Sequence, residues 1–392
     1  MDSLTRITED INYLAGTTFT RRYGTEGELI ASEYIRNRLL EMQILTKVEP
    51  FTCSRESYQI FSLYWIEFIF VFLLSFFIPM AGFIYGLLVI FLYFLELVGY
   101  FSLSQYLSEF QSQNIHGVIK TQHDFEEPKC RIVFHANYDC GVSHFLYSTS
   151  VVPFLPMIHN AVVISMLIIV GTSLINSLFG KGIEDNTIIL LLEVGAVIFL
   201  ATLGLITFIS TSNQEDTRGA NFNASGVASV LAIAEYFSKQ PIENIELHFL
   251  FTGAHQCWMS GLRHFLKTNH ISKTDSLIIN IEGVGTGDLY VPLKEQTVFS
   301  FSVDKQLKEI IEKVGANYGV KTVEHLQIPT SSYITLAWGY KGFTIIGLDK
   351  EGNPVYLNRP EDTTLNIEEK QIDTSAKFAC SFVRAWIGNN RF

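Results

Sequence analysis

Residues 245–284, IELHFLFTGAHQCWMSGLRHFLKTNHISKTDSLIINIEGV, read as strand, helix, strand. IELHFLFTG is a continuous apolar run of strand length, MSGLRHFLKTN carries apolar side chains at helical spacing, and DSLIINIEGV is again apolar and β-branched. A helix linking two such strands is the unit of a parallel sheet, whose strands are apolar throughout because both faces are covered. The alternation continues outward. Toward the amino terminus, TEGELIASEYIRNRLL (25–40) predicts an amphipathic helix, LTKVEPF, NIHGVIKT and RIVFHANY predict strands, and GVASVLAIAEYFSK predicts a helix. Toward the carboxyl terminus, DKQLKEIIEKVGANYG predicts a helix, FTIIGLD a strand, and EEKQIDTSAKFACSFVRAWI a long closing helix. The expected fold class is α/β: a mostly parallel central sheet with helices on both faces, its functional groups in loops beyond the carboxyl ends of the strands.

Two insertions interrupt this pattern. Apolar stretches at 61–80, 81–101, 156–178 and 188–209 each approach the ~20 residues that a membrane-spanning helix needs. They pair as two inserted transmembrane hairpins, with Pro79, Ala81 and Gly82 in the first turn and GKGIEDN (180–186) in the second. The expected division is an α/β domain from 1–59, 102–150 and 211–392, with hairpins at 60–101 and 151–210. A hairpin leaves and returns on one side, so the domain and both termini share one face of the membrane. Arg6, Arg21, Arg22, Arg36, Arg38, Lys47 and Arg55 precede the first hairpin, whereas the opposite loops offer Lys181 beside Glu184 and Asp185. By the positive-inside bias that face is cytoplasmic. MDSLTRITEDINYLAG has no secretory-type apolar core, which agrees with a cytoplasmic amino terminus in a cell or inner membrane. Glu67, Glu96 and His159 lie within the spans, and side chains at the cytoplasmic interface that snorkel to headgroups are the expectation for them.

Composition agrees with a lipid-embedded part. The 392 residues are 48% apolar, and mean hydropathy is +0.24, above the soluble norm. Lys+Arg 28 against Asp+Glu 39 gives a net charge of −11, which repels a phosphate backbone and excludes nucleic acid as a partner. Five cysteines, in no CxxC pair, point neither to a disulfide framework nor to a cysteine zinc site. No GxSxG elbow is present, so a serine hydrolase of that type is not expected.

Specific strings stand at the ends of successive elements: RIVFHANYDCG (131–141), RGANFNASGVAS (218–229), FLFTGAHQCWMSG (249–261), INIEGVGTG (279–287), TSSYITLAWG (330–339) and YLNRPEDTTLNIEE (356–369). Together with RRYGTEGELIASEYIRNRLLEM (21–42), they resemble the di-zinc aminopeptidase family, which includes glutamate carboxypeptidases and glutaminyl cyclases. The resemblance covers nearly all of the chain outside the hairpins. It implies that family's α/β fold, with the hairpins replacing two connections, and directs attention to its zinc positions. Where the family has AHYD, with a histidine ligand and a supporting aspartate, this chain has Asn137 and Asp139. Where the family's GxxDNxSG carries the aspartate that bridges two metals, this chain has Phe222 in GANFNASG. The family's AEE, general base and then ligand, is here His255 and Gln256. Glu282 retains an acidic ligand position, and Tyr333 replaces the last histidine.

Two zinc ions need about three protein ligands apiece, one of them shared, and Asn137, Phe222, Gln256, Glu282 and Tyr333 supply one strong ligand. His135 is on the same strand face as Asn137 but roughly 7 Å deeper, where a satisfied core histidine is expected. The resulting expectation is a membrane-anchored, aminopeptidase-like protein that is non-catalytic and has no cofactor. Its degenerate pocket, Asn137, Tyr138, Asp139, Phe222, His255, Gln256, Glu282 and Tyr333, would face a peptide ligand or a membrane-protein partner. The alternative is an active membrane metallopeptidase with a shifted, single-zinc site drawing on His135, Asp139, His255 and Glu282. A transporter using Glu67, Glu96 and His159 is a third class, disfavoured because the spans lack a broken-helix pattern.

Overall fold

The predicted strand–helix–strand unit forms as β6 (Ile245–Thr252), α8 (Ser260–Thr268) and β7 (Ser276–Glu282), and both strands are buried almost throughout. The structure, a computed structural model, describes residues 3–16, 19–101, 103–107, 109–120, 130–179, 187–212 and 215–390. It divides into two compact units: Met1–Cys53, Glu109–Ser143 and Glu215–Phe392 form the first, and Ser54–Ser108 with His144–Gln214 the second.

In the first unit the order is α1 (Ser3–Ala15), α2 (Glu26–Glu41), β1 (Leu45–Cys53), β2 (Phe110–Ile119), β3 (Cys130–Asn137) and β4 (Val142–Ser143), then β5 (Glu215–Asp216), α7 (Gly226–Lys239), β6, α8 and β7. There follow β8 (Asp288–Pro292), β9 (Lys294–Gln296), β10 (Ser300–Ser302), α9 (Lys305–Gly315), β11 (Lys321–Val323), α10 (Ser331–Ala337), β12 (Lys341–Leu348) and α11 (Glu369–Asn390). Eight strands make one sheet in the order β1-β2-β6-β3-β7-β12-β8-β11. Its middle, β6-β3-β7-β12, is parallel, as expected. The flanks are mixed: β1 pairs antiparallel with β2, β2 with β6, and β8 with β12, while β11 pairs parallel with β8. β1 is an edge strand and alternates between buried and exposed side chains, unlike the doubly covered middle strands. The core contains a stack in which Phe134 lies 5.8 Å from both Phe237 and Phe249. α1 was not anticipated, although Ile7, Ile11 and Leu14 follow helical spacing and are its buried face.

The chain leaves and re-enters this unit through paired strands. Cys53 is opposite Phe110, with Glu109 N–H donating to the Cys53 carbonyl at 3.1 Å, and Ser143 is opposite Glu215.

The second unit contains α3 (Ser57–Phe77), α4 (Pro79–Val98), α5 (Leu155–Phe179) and α6 (Thr187–Ser212). All four segments are long and apolar enough to cross a membrane. α3 starts earlier than the apolar run because the Glu56 carboxylate caps it, accepting from Gln59 N–H at 3.0 Å. Pro79 opens α4, and Gly82 allows the helices to close up, since a Cβ there would lie 2.5 Å from Ser75 Cα. The polar run at 180–186, with Lys181, Glu184 and Asp185, lies outside the described residues. Glu67 accepts from the Tyr85 hydroxyl at 2.6 Å, and Glu96 accepts from Ser104 Oγ at 2.7 Å. Glu96 is 2% exposed and therefore does not snorkel, because the chain turns back at Gly99 in a left-handed conformation and brings Ser104 onto it. His159 instead stacks on Tyr58.

Candidate functional site

β3, β6 and β7 run side by side in register, Asn137 opposite Thr252 and His135 opposite Asn280, so their carboxyl ends open together. Three of the singled-out residues, Asn137, Asp139 and Gln256, gather there through hydrogen bonds. The Asn137 amide donates to Asp139 Oδ1 at 3.3 Å and accepts from Asn223 Nδ2 at 3.1 Å. Asn223 also donates to the Ile281 carbonyl and accepts from Gly226 N–H and Gly283 N–H, which clasps the loop at 219–225 to the end of β7. Asp139 is fully buried and accepts from Gln256 N–H at 3.2 Å, and burial pushes its carboxyl above the usual range.

The Phe222 side chain takes a different direction. Its ring covers Gly283, where φ is +58° and a Cβ would lie 2.2 Å from the ring, and it packs with Leu326, Ile346 and Leu348. Two backbone donors of this loop, Asn221 N–H and Phe222 N–H, are received by the Asp362 carboxylate at 2.5 and 2.9 Å. Burial raises Asp362 to about 6. Gln256 Oε1 accepts from Asn358 Nδ2 at 3.1 Å, joining the loop after β6 to the loop before α11.

On the opposite side, the first turn of α10 meets Glu282 and His255. Ser331 N–H donates to Glu282 Oε1 at 2.8 Å, and Ser331 Oγ lies 3.4 Å from His255 Nδ1. Tyr333, two residues on, is fully buried; its hydroxyl accepts from Thr297 at 2.9 Å and its ring meets Phe301 and Trp258 edge-on. Burial pushes that phenol up to about 12. His135 is fully buried, with Nδ1 2.7 Å from Asn280 Oδ1 and Nε2 2.8 Å from Thr252 Oγ1. Burial lowers its pKa to about 3, so it is neutral. Among the described residues, no three His, Cys, Asp or Glu side chains are grouped so as to hold a metal ion.

Sequence reasoning did not single out four supporting residues. Arg21 is 1% exposed and donates to the carbonyls of Tyr138 and Gly219 at 2.8 Å each, and to Leu14 and Arg218. Glu28 accepts from Ser112 Oγ, Ala254 N–H and Gly24 N–H; burial, with Asp139 adding to it, raises it to about 8. Glu295 is buried against Thr330 and is likewise raised to about 8 by burial. Asp362 is the fourth. All four lie in loops or amphipathic stretches where a charged residue ordinarily reads as solvent-facing; only the fold turns them inward.

Backbone strain is concentrated in the same loops. Ala254, Trp258 and Met259 have φ of 51°, 54° and 56°, and Tyr356 and Asn358 have φ of 63° and 50°. Non-glycine residues adopt this left-handed region rarely.

Residues 207–383 match peptidase family M28. That is the family anticipated from the motifs, although the strings at 21–42 and 131–141 precede the matched residues. Solved structures share the fold. A zinc aminopeptidase from Bacillus subtilis superposes with a TM-score of 0.57 at 14% identity, covering 97% of this chain and 94% of that one. A glutaminyl cyclase from Bacteroides thetaiotaomicron, bound to N-acetylhistamine, gives 0.53 at 13% identity, covering 96% and 94%. A Zn-dependent exopeptidase from Parabacteroides distasonis gives 0.52 at 12%, with the same coverage. At such identities the likeness is one of fold. A comparison with curated proteins gives no match.

Proposed function

We infer that this M28-like chain is a non-catalytic binding protein, held in a membrane by its apolar hairpins, whose site at the sheet's edge receives a peptide. The observation that carries the reading is Phe222. It stands where the family places the metal-bridging aspartate, and its ring offers no lone pair and closes over Gly283, beside the single remaining acidic position. The other matched side chains are engaged: Asn137 with Asp139 and Asn223, Glu282 with Ser331, Tyr333 with Thr297. This donor set does not fit a two-zinc centre.

The lining supports a cationic ligand group. Asp139 and Glu282 are carboxyls near the strand ends, and the Arg21 guanidinium is spent on backbone carbonyls. A peptide's amino terminus is complementary to that charge. The strained residues flanking His255 and Gln256 add support, since strain of this kind persists at functional loops.

One observation favours the second reading, a shifted single-metal peptidase: His255 and Glu282 converge on Ser331, and Asp139 accepts from the neighbouring Gln256 N–H. His135 would not take part, because both of its ring nitrogens are in hydrogen bonds. Metal analysis after incubation with excess zinc and gel filtration separates the two readings. The binding protein retains less than a stoichiometric amount and releases no amino acid from peptides. One zinc per chain, removable by a chelator along with peptidase activity, would establish the enzyme instead. The basic residues before the first hairpin support a cytoplasmic α/β unit, and a reporter fused at the carboxyl terminus that is active only outside the cytoplasm would overturn that placement.

A further inference from the structure

The first hairpin contains a cavity that the reading above does not use. It measures about 240 Å³ and lies between α3 and α4, with Leu63, Val89 and Leu92 on its walls. Glu67, Tyr85 and Ser104 also line it. Glu67 is ten residues into a 21-residue helix, about 15 Å from its start, and so nearer the middle of a spanning segment than the interfacial position expected from the sequence, because α3 begins at Ser57. A carboxylate at that depth costs several kcal/mol unless something neutralises or hydrates it. The Tyr85 hydroxyl donates to Glu67 at 2.6 Å but is neutral. Residues 57–98 contain no Lys, Arg or His, so the hairpin carries a carboxylate beside an open space and no positive charge of its own to place there.

We propose that this cavity binds a compact lipophilic ammonium, its nitrogen on the Glu67 carboxylate and its hydrocarbon against Leu63, Val89 and Leu92. The chemistry follows from three features. The formal charge facing the cavity is negative, and an ammonium cancels it without a protein partner. The tyrosine ring of Tyr85 beside Glu67 favours a cation electrostatically, as does that of Tyr64, which also lines the space. The volume is below the ~300–1,000 Å³ of pockets for drug-sized ligands, which limits the occupant to a small amine. A phospholipid's ammonium headgroup is disfavoured, because its phosphate would have to lie close to the Glu67 carboxylate, and no lining residue is a cation. The inference stands apart from the question of peptidase activity.

The test uses the full chain in an uncharged detergent, titrated calorimetrically with benzyltrimethylammonium and, separately, with neopentylbenzene, its neutral carbon isostere. Saturable binding of one cation per chain is expected, at least tenfold tighter than binding of the isostere. Glu67→Gln should weaken the cation at least tenfold, while Glu193→Gln, which changes a carboxyl on α6, should leave it within twofold. Leu63→Trp, which keeps the carboxylate and fills the space, should abolish binding, so the result does not depend on one variant's folding. Equal binding of cation and isostere, unchanged binding in Glu67→Gln, or no saturable binding to the unmodified chain would each overturn the proposal.

Discussion

Glu295 shows how one residue's protonation can be read from hydrogen counting. Thr330 Oγ1 lies 2.6 Å from Glu295 Oε1 and 2.6 Å from Thr344 Oγ1, while Thr344 donates its own hydroxyl proton to Ser332 at 2.8 Å. One threonine proton serves only one of those two short contacts, and a carboxyl proton on Glu295 supplies the other, in keeping with its value of about 8. A carboxyl raised from 4.5 in the unfolded chain to about 8 in the fold adds stability that is complete below 4.5 and is lost as pH rises through 8. Glu28 acts in the same sense. His135, lowered to about 3, acts oppositely, but only below its unfolded value of 6.5. Between pH 6.5 and 8 the carboxyl effect is therefore unopposed by His135, and the melting temperature should fall with pH. Glu295→Gln, which mimics the neutral acid, should show a shallower fall in thermal scans across that range; a parallel pair of curves would show that Glu295 is ionised in the fold. Phe222→Asp tests the other decisive residue. Losing the ring from Gly283 and its apolar neighbours, and burying a carboxyl in its place, should cost roughly 3–5 kcal/mol in denaturant unfolding. The variant should still retain no stoichiometric zinc, since it adds only one ligand to Glu282.

Elements were the most legible level. The strand–helix alternation and the four apolar helices appear where the periodicity places them, because burial on two faces of a sheet, or in lipid, leaves an unbroken apolar signature. The short strands β8 to β11 were not foreseen; three to five residues are too few to display a period. Close approach between elements was also invisible, although its glycines were in view. Gly82→Val should push α4 from Ser75 on α3 and lower the melting temperature of the detergent-solubilised chain by several degrees. Gly283→Ala meets both an unfavourable φ of +58° and the Phe222 ring, and should destabilise by about 2 kcal/mol or more in chemical denaturation.

At the scale of the molecule, the first unit closes on itself without the residues that interrupt it. Both insertions begin and end at paired strands, Cys53 with Phe110 and Ser143 with Glu215, so short turns can replace 54–108 and 144–214 without stretching the sheet. The shortened chain should be soluble without detergent and melt in one cooperative transition; failure to fold would mean that the α/β unit depends on the hairpins. The amino-acid sequence by itself determined the α/β alternation, the two apolar hairpins and the resemblance to peptidase family M28, because each is written in local periodicity or in motifs at strand ends. Tertiary structure alone decided what those motif residues do. His135 is consumed by Asn280 and Thr252, Phe222 lies over Gly283, and Arg21, Glu28, Glu295 and Asp362 turn inward to hold the loops. The physical reason is that a side chain's partners come from strands and loops distant in sequence, and its chemistry depends on those partners and on burial, neither of which a local pattern encodes.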